Sequence, residues 1–367
     1  MPEFSRECQN HLVVKAIILL VISAAAAAAN PIYTVADLGG LGGPSTGYAI
    51  NSSGTVAGWA QNSSGVQQAF VSTPNGLQAL SPGSSDSYAY GINNSGTVVG
   101  TTYINGQAYG TIWSGSGATQ LGAGSYAMAI NNSGEVVGGN GEAFTVTDGQ
   151  IQTLGTPAGI GWSAAYGINN SGTVVGDGQL SNGSFRGIIW SPDGSMILLG
   201  TLGGSSSQAT NVNNDGEVVG FASLSSGYQH AFSMLDGMMI DLGTLGGGSS
   251  YAYGVNDSGE IVGYSYLADG ETAAFLYDDG AMLNLNSLIP SNSGWDLLEA
   301  YGINDSGQIT GVGLYAGQLS GFLLTDPPSV TAAPEPHALG VIAAALAMVG
   351  LLRRKPRVNS GPPSDRG

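Results

Sequence analysis

Four residue types are scarce between residues 30 and 333, a stretch with no cysteine, no lysine, one histidine (His230) and one arginine (Arg186). Since Cys8 is the only cysteine of the chain, no internal disulfide can form, and stability must come from packing and from sheet hydrogen bonds. A zinc site normally takes several His or Cys ligands. We therefore expect no metal site, and no motif in the sequence indicates a cofactor.

The shortage of basic residues also limits the possible partners. Residues 30–333 carry 21 acidic side chains against Arg186 alone, a net charge of −20. Proteins bind nucleic acids by displacing condensed counterions from phosphates with Lys and Arg. We therefore expect no nucleic-acid partner.

The N-terminal 29 residues have the layout of a secretory signal peptide. Arg6 and Lys15 precede an apolar run, and a series of alanines leads to a small-x-small cleavage pattern at Ala27 and Ala29. The pattern predicts export, with cleavage before Asn30. An uncleaved membrane anchor is the alternative interpretation.

The C-terminus carries a second targeting pattern over residues 334–355. Its three parts are Pro334-Glu335-Pro336, an apolar run over residues 338–352, and the basic cluster Arg353-Arg354-Lys355. The apolar run is short for a bilayer span, which usually needs about 20 residues. Basic residues directly after it fit the cytoplasmic end of a membrane helix. The residues alone therefore predict a short C-terminal membrane helix that serves as a tail anchor.

This layout resembles the PEP-CTERM sorting signal of Gram-negative bacteria. The resemblance implies recognition by an exosortase-type enzyme, transient attachment to the inner membrane, and release or retention at the cell surface. It also implies an association with exopolysaccharide and biofilm. On this interpretation residues 327–333 are a linker, and residues 356–367 are a polar tail.

An internal repeat fills the region between the two ends. Its marker is Ile-Asn-Asn-Ser-Gly-x-Val-Val-Gly or a close variant, and the first Asn of the marker recurs at Asn51, Asn93, Asn131, Asn169, Asn213, Asn256 and Asn304. The mean spacing of about 42 residues is that of a four-stranded propeller blade. In each unit, β-branched runs and an Asn-Ser-Gly turn predict short strands. We therefore predict an all-β fold, a seven-bladed β-propeller over residues 30–326.

Two further patterns support this prediction. A small residue followed by an apolar or β-branched residue recurs in each third strand, as in Ala69-Phe70, which predicts close approach between neighbouring sheets. Fourth strands follow the first six copies, for example Ile197–Gly200, but the seventh copy lacks one. Its missing strand is predicted at Val35–Gly39, before the first copy, so that the N-terminal strand closes the ring. An open β-solenoid is the alternative.

The repeat also resembles the HAF family of extracellular repeats. The His-Ala-Phe triplet appears in full at His230-Ala231-Phe232, and Asp241-Leu242-Gly243-Thr244-Leu245-Gly246-Gly247 follows. The resemblance covers residues 32–325 and implies an extracellular location and a repeat fold. It implies no established activity.

No catalytic motif stands out. Gly43-Pro44-Ser45-Thr46-Gly47 matches the nucleophile-elbow pattern but lacks the strand-to-helix context, so we interpret Ser45 as a turn cap and His230 as structural. Carboxylate pairs for glycoside cleavage would have to come from Asp86, Asp177, Asp269, Glu271, Asp296 and Glu299, among which no subset stands out. Carboxylates beside some turns, such as Asp257, leave weak Ca²⁺ binding open. We therefore predict that the protein is not an enzyme.

Binding is the function that remains. Predicted variable loops between second and third strands, such as residues 177–185 and 264–271, place recognition on that end of the scaffold. Aromatic residues lie in or beside these loops: Trp59, Tyr103, Phe185, Tyr228, Tyr264, Tyr266 and Tyr315. Such side chains suit stacking on sugar rings, although packing between blades is the alternative.

The sequence thus predicts a non-catalytic surface or matrix protein associated with extracellular polysaccharide. The alternatives are a surface protein–protein scaffold and, more remotely, a glycan-cleaving enzyme. Clustered aromatic side chains on the loop end would favour glycan binding, a flat polar end the scaffold, and paired carboxylates the enzyme.

Overall fold

The computed structural model describes residues 33–326 apart from Pro82, Ser84, Ser116 and Asp148. Within this part, 28 strands form seven four-stranded antiparallel sheets, and a 3₁₀ turn at Leu285–Ser287 is the one helical element. Each sheet contacts the next, and the first contacts the last. The predicted seven-bladed β-propeller is therefore confirmed.

The blades follow the sequence repeat. Blade 1 consists of β2 (Gly42–Ile50), β3 (Val56–Asn62), β4 (Gln67–Thr73) and β5 (Gly76–Ala79). Blade 2 consists of β6 (Ser87–Ile92), β7 (Val98–Ile104), β8 (Gln107–Ser114) and β9 (Gly117–Ala123). Blade 3 consists of β10 (Tyr126–Ile130), β11 (Val136–Gly139), β12 (Ala143–Thr147) and β13 (Gln150–Thr153). Blade 4 consists of β14 (Ile160–Ile168), β15 (Val174–Leu180), β16 (Phe185–Trp190) and β17 (Met196–Leu198).

The remaining blades have the same order. Blade 5 consists of β18 (Gly203–Val212), β19 (Val218–Leu224), β20 (Gln229–Leu235) and β21 (Met238–Asp241). Blade 6 consists of β22 (Gly246–Val255), β23 (Ile261–Leu267), β24 (Thr272–Asp278) and β25 (Ala281–Asn284). Blade 7 consists of β26 (Trp295–Ile303), β27 (Ile309–Tyr315), β28 (Gln318–Thr325) and the N-terminal β1 (Thr34–Asp37).

The N-terminal strand closes the ring, as predicted. β1 pairs antiparallel with β28, from Thr34 opposite Thr325 to Asp37 opposite Phe322. The Ser320 hydroxyl also donates to Asp37 Oδ1 at 2.6 Å. This closure leaves the last blade with four strands like the other six, so β28 is not left as an unpaired outer edge.

The core lies between blades and is built on the third-strand pairs. Ala69 and Phe70 of β4 are fully buried, and the equivalent phenylalanines Phe144, Phe232, Phe275 and Phe322 are also 0% exposed. Where the small residue is glycine, an added Cβ would press on the next blade, as at Gly187, where it would lie 3.3 Å from the backbone nitrogen of Ala209. The predicted close approach between sheets is confirmed.

The repeated Asn joins each blade to the next. The Asn51 Oδ1 accepts from the Ser53 and Thr55 amides of its own turn, while its Nδ2 donates to the Asn93 carbonyl at 3.2 Å. The same donation runs around the ring, and Asn304 Nδ2 completes it by donating to the Asn51 carbonyl at 2.9 Å. A buried side chain with all its hydrogen bonds made holds both the turn and the ring, which explains why this Asn recurs.

The glycine that ends the repeat marker is required by a close approach. At Gly100 of β7, an added Cβ would overlap the carbonyl oxygen of Tyr88 on β6. The same overlap with the first strand is found at Gly58, Gly138, Gly176, Gly220, Gly263 and Gly311. A register shift in the first strand of each blade accompanies it, as between Ala89 and Gly91. Such bulges bend a strand and redirect one side chain.

Two predicted boundaries were wrong. Fourth strands such as β17 (Met196–Leu198) begin one residue and end two residues earlier than the predicted Ile197–Gly200. The Leu-Gly pair after the strand belongs to the connection to the next blade. Leu199 is buried in this connection, and its amide donates to the Gly187 carbonyl. The connections between second and third strands are also shorter than predicted, since strands such as β15 and β23 continue through polar residues up to tight turns.

The predicted signal peptide, sorting signal and membrane helix lie outside the described residues. In residues 33–326, as far as they are described, no helix is long and apolar enough to cross a membrane.

Candidate functional site

The inner strands surround a central cavity of ≈ 470 Å³. Each blade contributes to its lining the residue three positions before the repeated Asn, which the register shift displaces from the strand pairing. These residues are Tyr48, Tyr90, Met128, Tyr166, Thr210, Tyr253 and Tyr301. Our sequence reasoning missed them, although their fixed spacing from the marker Asn was a usable signal.

The central cavity is called the channel from here on. Several of the tyrosines that line it belong to a larger set of neighbouring rings, which we name the aromatic array. Neighbouring centroids in it are 4.9–6.3 Å apart, within the range of favourable aromatic pairs. The array comprises eleven rings from blades 1, 2, 5, 6 and 7: Trp59, Tyr103, Tyr88, Tyr90, Tyr48, Tyr301, Tyr253, Tyr264, Tyr266, Tyr251 and Phe221. Its two arms reach the turns beside Tyr103 and Tyr266, so the array extends from the channel to the loop end of the ring.

Partial exposure distinguishes the aromatic array from the core. All eleven rings are half-buried, whereas core rings such as Phe70 are 0% exposed. The array therefore packs between strands and still presents ring edges or faces to solvent. Burial raises the pKa of Tyr253 to about 12 and also raises the pKa of Tyr264 and Tyr301. These phenols stay neutral at physiological pH and can both donate and accept hydrogen bonds.

The structure brings together four of the seven aromatic residues predicted from sequence. Trp59, Tyr103, Tyr264 and Tyr266 all belong to the aromatic array, on strands and not on loops. The other three lie elsewhere, and each has its own neighbour.

Phe185, Tyr315 and Tyr228 occupy separate places at the turns. Phe185 meets Trp162 edge-on at 6.2 Å, and Tyr315 stacks on Trp295 at 5.0 Å. Tyr228 is 58% exposed and lies beside the backbone at Gly248.

A second cavity, of ≈ 380 Å³, lies between blades 4 and 5. Three aromatic rings, Trp162, Phe185 and Phe221, provide apolar walls, and Tyr166 joins this cavity to the central channel because it lines both. The remaining lining is polar and comes from Asp177, Ser206, Ser207, Gln208 and Gln229. An apolar pocket with a few convergent polar groups is the usual form of a small-molecule site.

Asp177 is the unusual residue of this cavity. Its side chain is 3% exposed, its Oδ2 accepts from Gln208 Nε2 at 3.0 Å, and its buried Oδ1 has no hydrogen-bond partner. Burial raises the pKa of Asp177 to about 7, an effect that the Tyr166 hydroxyl and Gln208 partly offset. A carboxyl group that lies in a cleft and has a strongly shifted pKa is a candidate functional group.

Several of the other sequence candidates have structural roles. Ser45 lies in β2, where its hydroxyl donates to the Gly39 carbonyl and accepts from the Gly321 amide, so it joins blades 1 and 7 as well as holding a turn. His230 Nδ1 lies 2.8 Å from Asp241 Oδ1. Asp86 accepts from the Gln67 amide.

Three more carboxylates behave similarly, whereas Glu271 and Asp296 are exposed. Asp269 accepts from the Glu271 amide within a turn, and Glu299 bonds the Tyr301 hydroxyl. The Asp257 carboxylate accepts from Asn214 of the preceding blade. Across the described part of the chain, no group of three or more His, Cys, Asp or Glu side chains is placed to hold a metal ion.

No family model and no curated protein matches the chain. Among solved structures, a gluconolactonase from Xanthomonas campestris is 13% identical over 82% of this chain and 93% of that chain, with a TM-score of 0.43. A fucose-specific lectin from Aleuria aurantia is 11% identical over 78% of this chain and 97% of that chain, with a TM-score of 0.35. YCF48 bound to a D1 peptide is 14% identical over 82% of this chain and 98% of that chain, with a TM-score of 0.42. Likeness at this level carries no argument about function.

Proposed function

We propose that this propeller is an exported, non-catalytic surface or matrix protein that binds extracellular polysaccharide through the aromatic array. The aromatic array carries the proposal, because contiguous, partly exposed rings offer apolar faces on which sugar rings stack, beside neutral phenols that hydrogen-bond to hydroxyl groups. Clustered aromatic side chains are the feature expected of glycan binding. A flat polar surface would have favoured a protein scaffold.

Charge limits the kind of polysaccharide. With 21 acidic residues and one basic residue in residues 30–333, the protein repels an anionic polymer and attracts a cationic one, whereas its net charge neither attracts nor repels a neutral one. The same repulsion argues against nucleic acid as a partner.

The two terminal patterns supply the proposed location. The N-terminal leader directs export, and the tail with Pro334-Glu335-Pro336 and Arg353-Arg354-Lys355 is a substrate for an exosortase-type sorting enzyme after transient membrane attachment. The propeller would then act outside the cell or on its outer surface.

Co-sedimentation of the full-length chain with the exopolysaccharide of the producing bacterium tests the proposal. We expect saturable binding that Trp59→Ala combined with Tyr264→Ala weakens about tenfold or more, since two central contacts are lost. Ile197→Ala is the matched control, because this side chain is 52% exposed but lies on the outer strand of blade 4. Absence of binding, or equal binding by all variants, would contradict the proposal.

A protein–protein scaffold is the second candidate, and one observation favours it. The outer strands of blades 4 and 5 expose apolar side chains, among them Ile197 at 52%, Met238 at 67% and Ile240 at 49%. Exposed apolar patches are typical of interaction surfaces. Under this candidate Ile197→Ala would reduce surface association, and the substitutions at Trp59 and Tyr264 would not.

A further inference from the structure

The cavity at Asp177 has an electrostatic imbalance. Asp177 is 3% exposed, and no Lys, Arg or His lines the cavity to neutralise it. Burying a carboxylate without a counter-ion costs free energy, and native proteins normally pair such a group. Protonation relieves part of this cost, since burial raises the pKa of Asp177 to about 7, and a cation in the cavity would relieve the cost of the ionised form.

The hydrogen bonding of Asp177 points the same way. Oδ2 accepts from Gln208 Nε2 at 3.0 Å, whereas buried Oδ1 has no donor in hydrogen-bond geometry, and the nearby Tyr166 hydroxyl offsets the effect of burial only in part. An ionised carboxylate has about four acceptor sites on its two oxygens, so this group can accept further donors. An ammonium group has three N–H donors and a positive charge, and would satisfy both deficits.

The walls fit the body of such a ligand. Trp162 and Phe185 meet edge-on at 6.2 Å, and Phe221 adds a third ring. Aromatic faces attract cations and stack on apolar faces of sugar rings. Ser206 and Gln229 add hydroxyl and amide groups that can bind sugar hydroxyls. Phe221 also contacts Tyr251, so this cavity adjoins the aromatic array.

We propose that the cavity between blades 4 and 5 binds the protonated amino group of an amino-sugar residue, with the Asp177 carboxylate as its counter-ion. This inference rests on the proposed polysaccharide binding and names a substrate class for it. In this arrangement the aromatic array binds the chain of sugars, and the Asp177 cavity selects residues that carry a free amine. An N-acetylated residue lacks the positive charge and is not selected.

Isothermal titration of the full-length chain with two probes tests the inference. The probes are a glucosamine hexamer and the same hexamer fully N-acetylated, both at pH 7. We expect Asp177→Asn to weaken binding of the glucosamine hexamer about tenfold or more. Its affinity for the acetylated hexamer should stay within about twofold of the wild-type value. Asp269→Asn makes the same chemical change at an exposed turn on the loop end, outside the cavity, and is the matched control.

The outcomes separate this inference from the function on which it rests. If Asp177→Asn and Asp269→Asn weaken binding of the glucosamine hexamer equally, the attraction is a general effect of the acidic surface, and the cavity inference is wrong. If the acetylated hexamer binds the wild type as tightly as the glucosamine hexamer, the cavity inference is also wrong, but glycan binding stands. If neither hexamer and no host polysaccharide binds, the proposed function fails as well.

Discussion

Replacement of Asp177 by Asn should change how stability depends on pH. Burial raises the pKa of Asp177 from its ordinary value of 3.8 to about 7 in the folded protein. The folded state therefore holds this proton more tightly than the unfolded state does. The stabilising contribution of the protonated form is fully present below about pH 4 and is lost as pH rises to about 7. Each pKa unit corresponds to 1.36 kcal/mol, so the loss is on the order of 4 kcal/mol.

Asn keeps the shape of Asp177 and cannot ionise. The free energy of unfolding of Asp177→Asn minus that of the wild type should therefore rise between about pH 4 and pH 7 and level off above. Urea unfolding followed by tryptophan fluorescence at unit steps from pH 4 to pH 8 measures this difference. Other titrating groups are common to both proteins and cancel.

Asp193→Asn is the control for this experiment. Asp193 is exposed, and hydrogen bonds from Ser195 lower the pKa of its carboxyl, so its contribution to stability is present at high pH and lost in acid. That loss falls below about pH 4, so the difference curve for Asp193→Asn should stay nearly level from pH 4 to pH 8. A curve for Asp177→Asn that stays level from pH 4 to pH 8 would refute the burial argument and remove the electrostatic basis of the cavity inference.

Three further substitutions test how the ring is held together, each by equilibrium unfolding. Gly100→Ala should lower the free energy of unfolding by about 3 kcal/mol or more, because the added Cβ would overlap the carbonyl oxygen of Tyr88 on the neighbouring strand. Gly122→Ala is the control and should be nearly neutral, because an added Cβ there meets nothing within 4 Å. Equal effects of the two substitutions would contradict the bulge argument. Asn169→Ala should lower the free energy of unfolding by about 2–4 kcal/mol, because it removes the hydrogen bond to the Asn213 carbonyl and leaves the Ser171 and Thr173 amides of the turn unpaired. A decrease below about 1 kcal/mol would contradict this. Ser52→Asn should raise the free energy of unfolding by about 1 kcal/mol, because the side-chain oxygen of an Asn at this position can accept from the Asp305 backbone N–H. The Asp305 side chain accepts in the same way from the Asp257 backbone N–H of the preceding blade. An unchanged free energy of unfolding would show that the new bond does not form.

The repeat made the fold predictable because its signals are local and are repeated seven times. The Asn-Ser-Gly turn needs a glycine with positive φ, and Gly96 has φ 81°. The seventh copy ended without a fourth strand, and a matching strand preceded the first copy. Those two observations were sufficient to predict that β1 pairs with β28.

The channel could not be predicted in the same way. Tyr48 and its equivalents stand at a fixed spacing from the repeated Asn, but they face the cavity because of a register shift in the pairing with the second strand, and that shift depends on contacts between strands. Burial of Asp177 was also hidden from the sequence. It looked like one of several loop carboxylates, but β15 continues through it, and blade 5 covers it with Gln208.

The aromatic residues were found by type and place, but their arrangement was not. Tyr264 and Tyr266 were assigned to a loop, whereas they lie within β23. Tyr253, which connects Tyr264 to the channel, was missed. A count of aromatic residues near turns thus found several rings at the loop end without showing that they are in contact.

A crystal structure of the protein with an oligosaccharide prepared from its own extracellular polymer would test the central claim most directly. Our account predicts sugar rings stacked on the aromatic array between Trp59 and Tyr264, with hydroxyl groups bonded to the phenols. Sugar density on the outer strands, or none anywhere at saturating oligosaccharide, would contradict it.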